Sequence, residues 1–330
     1  MKIDYVITGM DVGGAEMQVV ELLLELQKCG HSVRLISLTP PVDLIDKLIS
    51  NDIPVVSLGM KSKLALPMAA FKLAMLIRQN SPDIVHSHMF HANILVRFVR
   101  ALLGRRSSII CTAHSVREGG SARDWLYRLT NKLSDLNTVV SDAARQRFIN
   151  DKVFPPEKTL TVYNCINIDH FCIIDRQGRK RFRWITVGRL VKIKNQLLIL
   201  QAGFIPHDEM VKYYSQIDVY VCPSKIEGTP NPVLESMACG VPVISTDVGV
   251  VKDAFGEMQK EWILPVRSKD TLIDKLRDFY HKRNSVVKCL SSENLQQIKK
   301  WDWKVKSENF RTFFDKVLES KKHSEISNKM

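Results

Sequence analysis

Asp218-Val-Tyr-Val-Cys-Pro-Ser-Lys-Ile-Glu-Gly-Thr-Pro-Asn-Pro-Val-Leu-Glu-Ser-Met-Ala-Cys-Gly240 is the stretch that decides how this chain reads. An apolar run ends at Pro223, as a buried strand does. A loop follows with Glu227 and Gly228. Asn231 is a favoured helix-capping residue, Pro232 fits the first helical position, and Gly240 closes the helix. The pattern predicts a strand, a loop and a helix N-terminus. The backbone of Gly228-Thr229-Pro230-Asn231-Pro232-Val233, with N–H groups at all but the two prolines, would then face a ligand at the positive end of a helix dipole, which suits a diphosphate. Glu227 lies just before that helix and Glu235 one turn inside it. A carboxylate accepts two hydroxyl protons at once, so the vicinal diols of a sugar or ribose are fitting partners. An arbitrary pair of glutamates in a loop reads equally well as solvated acids.

Working outward, strand-like and helix-like runs alternate. Strands are expected at 3–7, 32–38, 54–57, 83–88, 108–114, 138–141 and 159–163. Helices are expected at 15–28, 66–80, 91–103 and 122–134. The polar, basic stretch 169–183 reads as a linker. The pattern resumes with strands at 184–187, 218–222, 241–246 and 262–265 and the helix at 231–239. An aromatic and charged tail looks like an amphipathic helix, ending in a polar segment from 321. Alternation of this kind means an α/β fold with two doubly wound, Rossmann-like domains. The expected boundaries are 1–168, a linker 169–183, 184–300, and a tail 301–330 that returns to the first domain. Ligands of such sheets bind beyond the carboxyl ends of the strands, so the expected site is the cleft the two domains face.

Bulk properties narrow the partners. The chain has 330 residues, 45% apolar and 25% charged, with 48 Lys and Arg against 35 Asp and Glu. The surplus favours phosphate-bearing ligands or an anionic surface. No basic run is interleaved with aromatics, so nucleic acid is not an expected partner. Seven cysteines without Cys-x-x-Cys spacing read as reduced thiols of a cytoplasmic protein. The N-terminal run is too short for a signal peptide, and no run is long enough to span a bilayer.

Further residues join the candidate site. In Val187-Gly-Arg-Leu-Val-Lys-Ile-Lys-Asn195, Arg189 and Lys194 follow a strand and a glycine turn, where two cations can hold a diphosphate. Taken alone they also fit a solvated face. Gly13-Gly14-Ala15-Glu16 turns between the first strand and helix and permits close backbone approach. It is not a Gly-x-Gly-x-x-Gly fingerprint. His114 ends a strand in Cys111-Thr-Ala-His-Ser115. His86 and His88 share a strand face, but no acid is near in sequence and no Asp-x-Asp occurs. No metal and no cofactor are expected.

These residues resemble glycosyltransferase family 4, a retaining family with the GT-B fold. Glu227 and Glu235 match its Glu-x7-Glu motif, and Ala238-Cys-Gly-Val-Pro-Val-Ile-Ser-Thr-Asp-Val-Gly249 follows its pattern. The resemblance implies that Glu227 contacts donor-sugar hydroxyls and Glu235 the nucleotide ribose. It implies that Arg189 and Lys194 hold the diphosphate, that Gly13 and Gly14 face donor phosphate and acceptor, and that His114 bonds the donor sugar near its anomeric centre. It makes 85–97 an acceptor-side wall. Cys165 stands where the family usually has glycine.

One departure from the family is plain. After Ala202 the family continues through a strand–helix–strand arm of roughly 30 residues or more, whereas Ala202 here runs straight into Gly203-Phe-Ile-Pro-His-Asp-Glu-Met210. Removing an outer arm leaves the remaining strands contiguous, with the first at an edge. The resemblance implies transfer from a nucleoside-diphosphate sugar to a saccharide or lipid-linked acceptor in polysaccharide or lipopolysaccharide assembly. The missing arm keeps a second reading open, a non-catalytic relic that binds or scaffolds. A NAD-dependent dehydrogenase fits less well, since the glycine fingerprint is absent. Arg97, Arg100, Arg105, Arg106, Arg117, Arg123 and Arg128 suggest a face that could dock on the inner leaflet of the cell membrane.

Overall fold

Parallel strands and covering helices alternate along the chain. The computed structural model describes every residue except 12, 42, 105, 172–181, 189–193, 195–204, 266–267, 307–312, 315–316 and 318–330. The chain divides into two compact units. The first is Met1–Tyr163 with the described residues beyond 306, and the second is Asn164–Lys306.

In the first unit the elements are β1 (Lys2–Ile7), α1 (Gly14–Lys28), β2 (Ser32–Ser37), α2 (Asp46–Ile49), β3 (Val55–Ser57), α3 (Leu66–Asn80), β4 (Ile84–His88), α4 (Phe90–Leu103), β5 (Ser108–Ala113), α5 (Ser121–Thr130), β6 (Leu136–Val139), α6 (Asp142–Asn150) and β7 (Thr159–Thr161). The sheet order is β3-β2-β1-β4-β5-β6-β7, parallel at every described pair. The order reverses between β1 and β4, which makes their carboxyl ends the place for a ligand in this unit. The strands are nearly continuous runs of buried residues because helices cover both faces of a parallel sheet. Val6, Ile36, Val85 and Ile109 pack against Leu73 of α3 and Leu95, Val96 and Val99 of α4.

The second unit holds β8 (Trp184–Ile185), α7 (Met210–Tyr214), β9 (Val219–Cys222), α8 (Asn231–Ala238), β10 (Val243–Thr246), α9 (Val251–Ala254), α10 (Glu257–Lys260), β11 (Ile263–Leu264) and α11 (Lys269–Ile298). Its sheet has the order β11-β10-β9-β8, so among the described residues β8 is an edge. That is the order expected of a sheet without the outer arm. Residues 195–204, where the arm would begin, lie outside the described residues, as do most of the expected linker and tail.

One expectation changes. Asn231 is not the cap of α8: Pro230 takes that place, with no side-chain capping bond, and Asn231 is the first helical residue. The asparagine instead accepts a bond from Asn164 Nδ2 at 3.2 Å. Cys165 is buried and does not have positive φ, so replacing the family's usual glycine imposes no left-handed strain.

Candidate functional site

The donor-side residues of the second unit sit where β9 hands the chain to α8. Thr246 Oγ1, at the end of β10, donates to Ser224 O at 2.6 Å and to Cys222 O at 3.3 Å, which ties the loop start to the neighbouring strand. Gly249 has φ +55°, and a Cβ placed there would lie 2.0 Å from Gly228 O. The loop carrying Glu227 and Gly228 therefore packs directly on backbone at 249, which only glycine permits. The cap position of α8 is taken by Pro230, which has no side-chain capping group, and the Val233 N–H is bonded to Pro230 O at 2.8 Å.

Two predicted residues, 33 positions apart in sequence, are in contact here. Lys194 Nζ lies 2.6 Å from Glu227 Oε1, with both side chains largely buried. The cation expected at the diphosphate and the carboxylate expected at the sugar hydroxyls thus share one place. Arg189 lies outside the described residues. Gly188 before it has φ +147°, a conformation suited to glycine.

Glu235 is buried, and both its oxygens are held. Tyr214 Oη donates to Oε2 at 2.8 Å, and His207 Nε2 lies 3.1 Å from Oε1. Burial pushes the Tyr214 hydroxyl well above its ordinary pKa, so it remains a donor. Phe171 packs edge-on to both partners, with ring centroids 5.4 Å from His207 and 6.2 Å from Tyr214. Each carboxylate oxygen has a second lone pair, so Glu235 can still accept from hydroxyls. His207 and Tyr214 carried no spacing signal in the sequence; only their place just before β9 could have drawn attention to them.

In the first unit, His114 follows β5 directly. Its Nε2 lies 2.8 Å from His88 Nδ1, and its backbone N–H donates to Glu118 Oε1 at 3.0 Å. Glu118 also accepts from Tyr127 Oη. Burial lowers His114 to about 4 and His86 to about 3, and drives His88 well down. All three imidazoles are therefore neutral at pH 7. Burial also raises Glu118 to about 7, against the hydrogen bonds from Tyr127 and from the His114 backbone. Tyr5 stands against His86 and His88, with ring centroids at 4.9 and 5.4 Å. Met89, between β4 and α4, has φ +73°, a conformation that is costly for a side chain with a Cβ and tends to mark functional turns.

Gly13 and Gly14 form the turn after β1, with Gly13 at the N-cap of α1. A Cβ at Gly13 would lie 2.4 Å from Glu16 Oε2, so the glycine leaves room for that carboxylate to fold back. Of the expected arginine face, Arg97 and Arg100 are buried, Arg123 is half-buried, and Arg106, Arg117 and Arg128 are exposed. Arg97 is fully buried and bonds Asn137 Oδ1 at 2.6 Å, Thr130 Oγ1 at 2.9 Å and Tyr127 O at 3.1 Å. Arg100 forks onto Asp135 at 2.5 and 2.8 Å. Arg123 reaches Glu118 O, and Arg128 reaches the carbonyls of Asp151 and Lys152. These arginines close helix ends and core polar groups, which periodicity alone does not reveal. Arg105 lies outside the described residues.

The sequence pattern of glycosyltransferase family 4 matches residues 12–170, and that of glycosyl transferases group 1 matches residues 195–294. Together they cover most of the chain. Residues 12–170, just under half of the chain, thus carry the glycosyltransferase family 4 pattern. The capsular polysaccharide biosynthesis glycosyltransferase CapH of Staphylococcus aureus is 26% identical over 215 residues, which is 61% of this chain and 56% of that protein. The putative teichuronic acid biosynthesis glycosyltransferase TuaC of Bacillus subtilis is 37% identical over 81 residues, 24% of this chain and 21% of that protein. The matches thus span from about a fifth to somewhat over half of these relatives' lengths. Anabaena HepE, solved with UDP, superimposes with a TM-score of 0.80 at 15% identity, over 96% of this chain and 100% of that one. The fold is therefore GT-B.

The second unit places a cation and a carboxylate together at the loop before α8, and a second carboxylate within that helix. Such an arrangement can neutralise phosphate charge and fix hydroxyls. Among the described residues, one group has metal-ligand chemistry: His170, His207 and Asp208, whose ligand atoms lie within 4.8 Å of one another. It is not the His86–His88 pair weighed from sequence.

Proposed function

We propose that this chain is a retaining glycosyltransferase. It moves a sugar from a nucleoside-diphosphate sugar to a saccharide or lipid-linked acceptor, at the cytoplasmic face of the membrane, in surface-polysaccharide assembly. The observation that carries this reading is the contact of Lys194 with Glu227 just before α8. Glu235 holds the nucleotide ribose, with Tyr214 and His207 fixing its carboxylate. The α8 amides, Lys194 and Arg189 take up charge as the nucleoside diphosphate leaves, an electrostatic role that needs no metal. Glu227 orients the sugar hydroxyls, and neutral His114 donates to or accepts from the sugar near the bond that breaks. Gly13 and Gly14 let the backbone approach the donor phosphate.

Three further lines support the reading. HepE has also been solved in complex with UDP-glucose. CapH and TuaC carry names from capsular and teichuronic polysaccharide assembly. Among the described residues, no helix is long and apolar enough to cross a membrane, which is compatible with a peripheral enzyme.

The test is transfer of radiolabelled sugar from a panel of UDP-, GDP- and ADP-sugars to a lipid extract. The expected result is transfer or slow hydrolysis with one donor and its loss in Glu227→Ala. Absence of both with every donor would overturn the reading. The edge position of β8 favours a second reading, a non-catalytic relic. Calorimetry with nucleoside diphosphates separates the two: a relic without a donor site gives no heat, and a surviving site gives binding that Glu235→Ala removes.

A further inference from the structure

Helix α3 leaves an apolar row uncovered. Its inner face, Ala69, Leu73 and Ile77, is buried in the core it shares with α4. The opposite side of such a helix is ordinarily polar. Here Leu64, Met68, Phe71 and Met75 stand out instead, at 92%, 59%, 63% and 40% exposure. Their spacing sets them one above another along the helix and the turn that leads into it. Leu66 is exposed beside them, and the adjoining α4 exposes Phe98 and Leu102, one turn apart. Scattered exposed apolar residues need no explanation, but a contiguous row marks a contact surface.

Charge indicates what covers the row. Between Asp52 and Asp83 the chain has no acid, against four Lys and Arg: Lys61, Lys63, Lys72 and Arg78. Lys61, Lys72 and Arg78 are exposed on α3 or the turn before it. A second copy of this helix would bring the same cations to the contact, and like charges facing each other oppose association. An anionic bilayer satisfies both features. Apolar side chains enter the headgroup boundary while ammonium and guanidinium groups meet lipid phosphates.

We propose that α3 is the membrane-contacting element of this chain. It lies in the plane of an anionic leaflet, with Leu64, Met68, Phe71 and Met75 inserted at the headgroup boundary. The site is distinct from the buried Arg97 and Arg100. It does not depend on the donor-site reading, because none of its residues belongs to the elements that carry Lys194, Glu227 or Glu235.

The test is cosedimentation of the full chain with vesicles of phosphatidylcholine alone and of phosphatidylcholine mixed with phosphatidylglycerol. The chain pellets with the anionic vesicles and much less with the neutral ones. Phe71→Ser with Met75→Ser lowers the partition at least about tenfold, since two apolar anchors are removed. Lys61→Gln with Arg78→Gln erases most of the preference for phosphatidylglycerol. All four side chains are exposed, and an unchanged circular-dichroism melt confirms that each variant folds. Three results would overturn the proposal: no pelleting of the parent with anionic vesicles, equal pelleting of the Phe71/Met75 variant, or a concentration-dependent dimer in sedimentation velocity that this variant dissolves. Calorimetry with UDP-glucose on the same variants reads the donor site separately.

Discussion

Glu235 shows how a single buried carboxylate serves both fold and site. Removing it leaves Tyr214 Oη and His207 Nε2 without the partner they share in the second unit. A hydrogen bond to a charged group is worth about 1.5–3 kcal/mol. Glu235→Ala should therefore weaken binding of the donor that the panel selects about tenfold to a hundredfold by calorimetry, and should also lower urea stability. Glu235→Gln keeps the shape and one acceptor oxygen. It should retain more stability than binding, and equal losses in both would argue against ribose recognition. The carboxylate itself was legible from its eight-residue spacing to Glu227, whereas its partners were not. A histidine and a tyrosine from a chain segment more than twenty residues upstream become its neighbours only through the fold.

The neutral histidines make a pH prediction at the same scale. His114 has an ordinary value of 6.5 and a folded value of about 4, because burial penalises the charged ring. The unfolded chain therefore binds a proton that the folded chain refuses between those values, and stability rises with pH across that window. The contribution is fully present above 6.5 and is lost as pH falls through about 4. Glu118, raised to about 7 from 4.5, acts in the opposite sense, and its contribution fades as pH rises through 7. His114→Gln removes one proton-binding site without touching Glu118. Urea unfolding of the variant at pH 4 and pH 7 should show a difference smaller than the parent's by on the order of 2 kcal/mol. An unchanged difference would mean that His114 is charged in the folded protein.

At the scale of elements, α11 clasps the second sheet through two buried amides. Gln259 of α10 exchanges bonds with Val243 at the start of β10, donating at 2.6 Å and accepting at 3.2 Å. Asn294 of α11 donates to Gln259 Oε1 at 2.9 Å and to Val241 O at 3.0 Å. Glu293, next to it, accepts from the amides of Met258 and Gln259 and so caps α10. The far end of β10 is Thr246, which ties the donor loop. Gln259→Leu would bury the Val243 amide and the Asn294 amide without these partners, at a cost of about 2–4 kcal/mol in urea denaturation. A loss below about 0.5 kcal/mol would show that the clasp is not stabilising. Most strands and helices were readable because apolar runs and glycine stops fix them locally. The elements that were missed owe their place to other causes. α11, with 30 residues, is mostly polar, and its interior stripe of Leu272, Leu276, Phe279, Val286, Leu290, Asn294 and Ile298 has helical spacing but is diluted by the charged residues between its members. Asn231 carries the right chemistry for a cap, but the proline before it takes the capping position and no side-chain acceptor remains.

For the whole molecule, ligand binding is the quantity that joins these arguments. A ligand that binds only the folded chain stabilises it by about 2.7 kcal/mol at a hundred times its Kd. If Lys194, Glu227, Glu235 and the α8 N-terminus form the donor site, UDP-glucose, or whichever donor the panel selects, should raise the apparent melting temperature. The rise belongs to the second unit, so a chain of two units need not melt in one step, and the transition that moves should be the one weakened by Gln259→Leu. Charge neutralisation by side chains and amides predicts that the rise survives excess EDTA. His170, His207 and Asp208 offer the contrary mechanism, in which a bridging cation holds the diphosphate. In that case EDTA abolishes the rise, added divalent metal restores it, and His170→Ala mimics EDTA. Persistence of the rise in EDTA, together with its loss in Glu235→Ala, would leave the protein's own cations and amides as the groups that hold the donor.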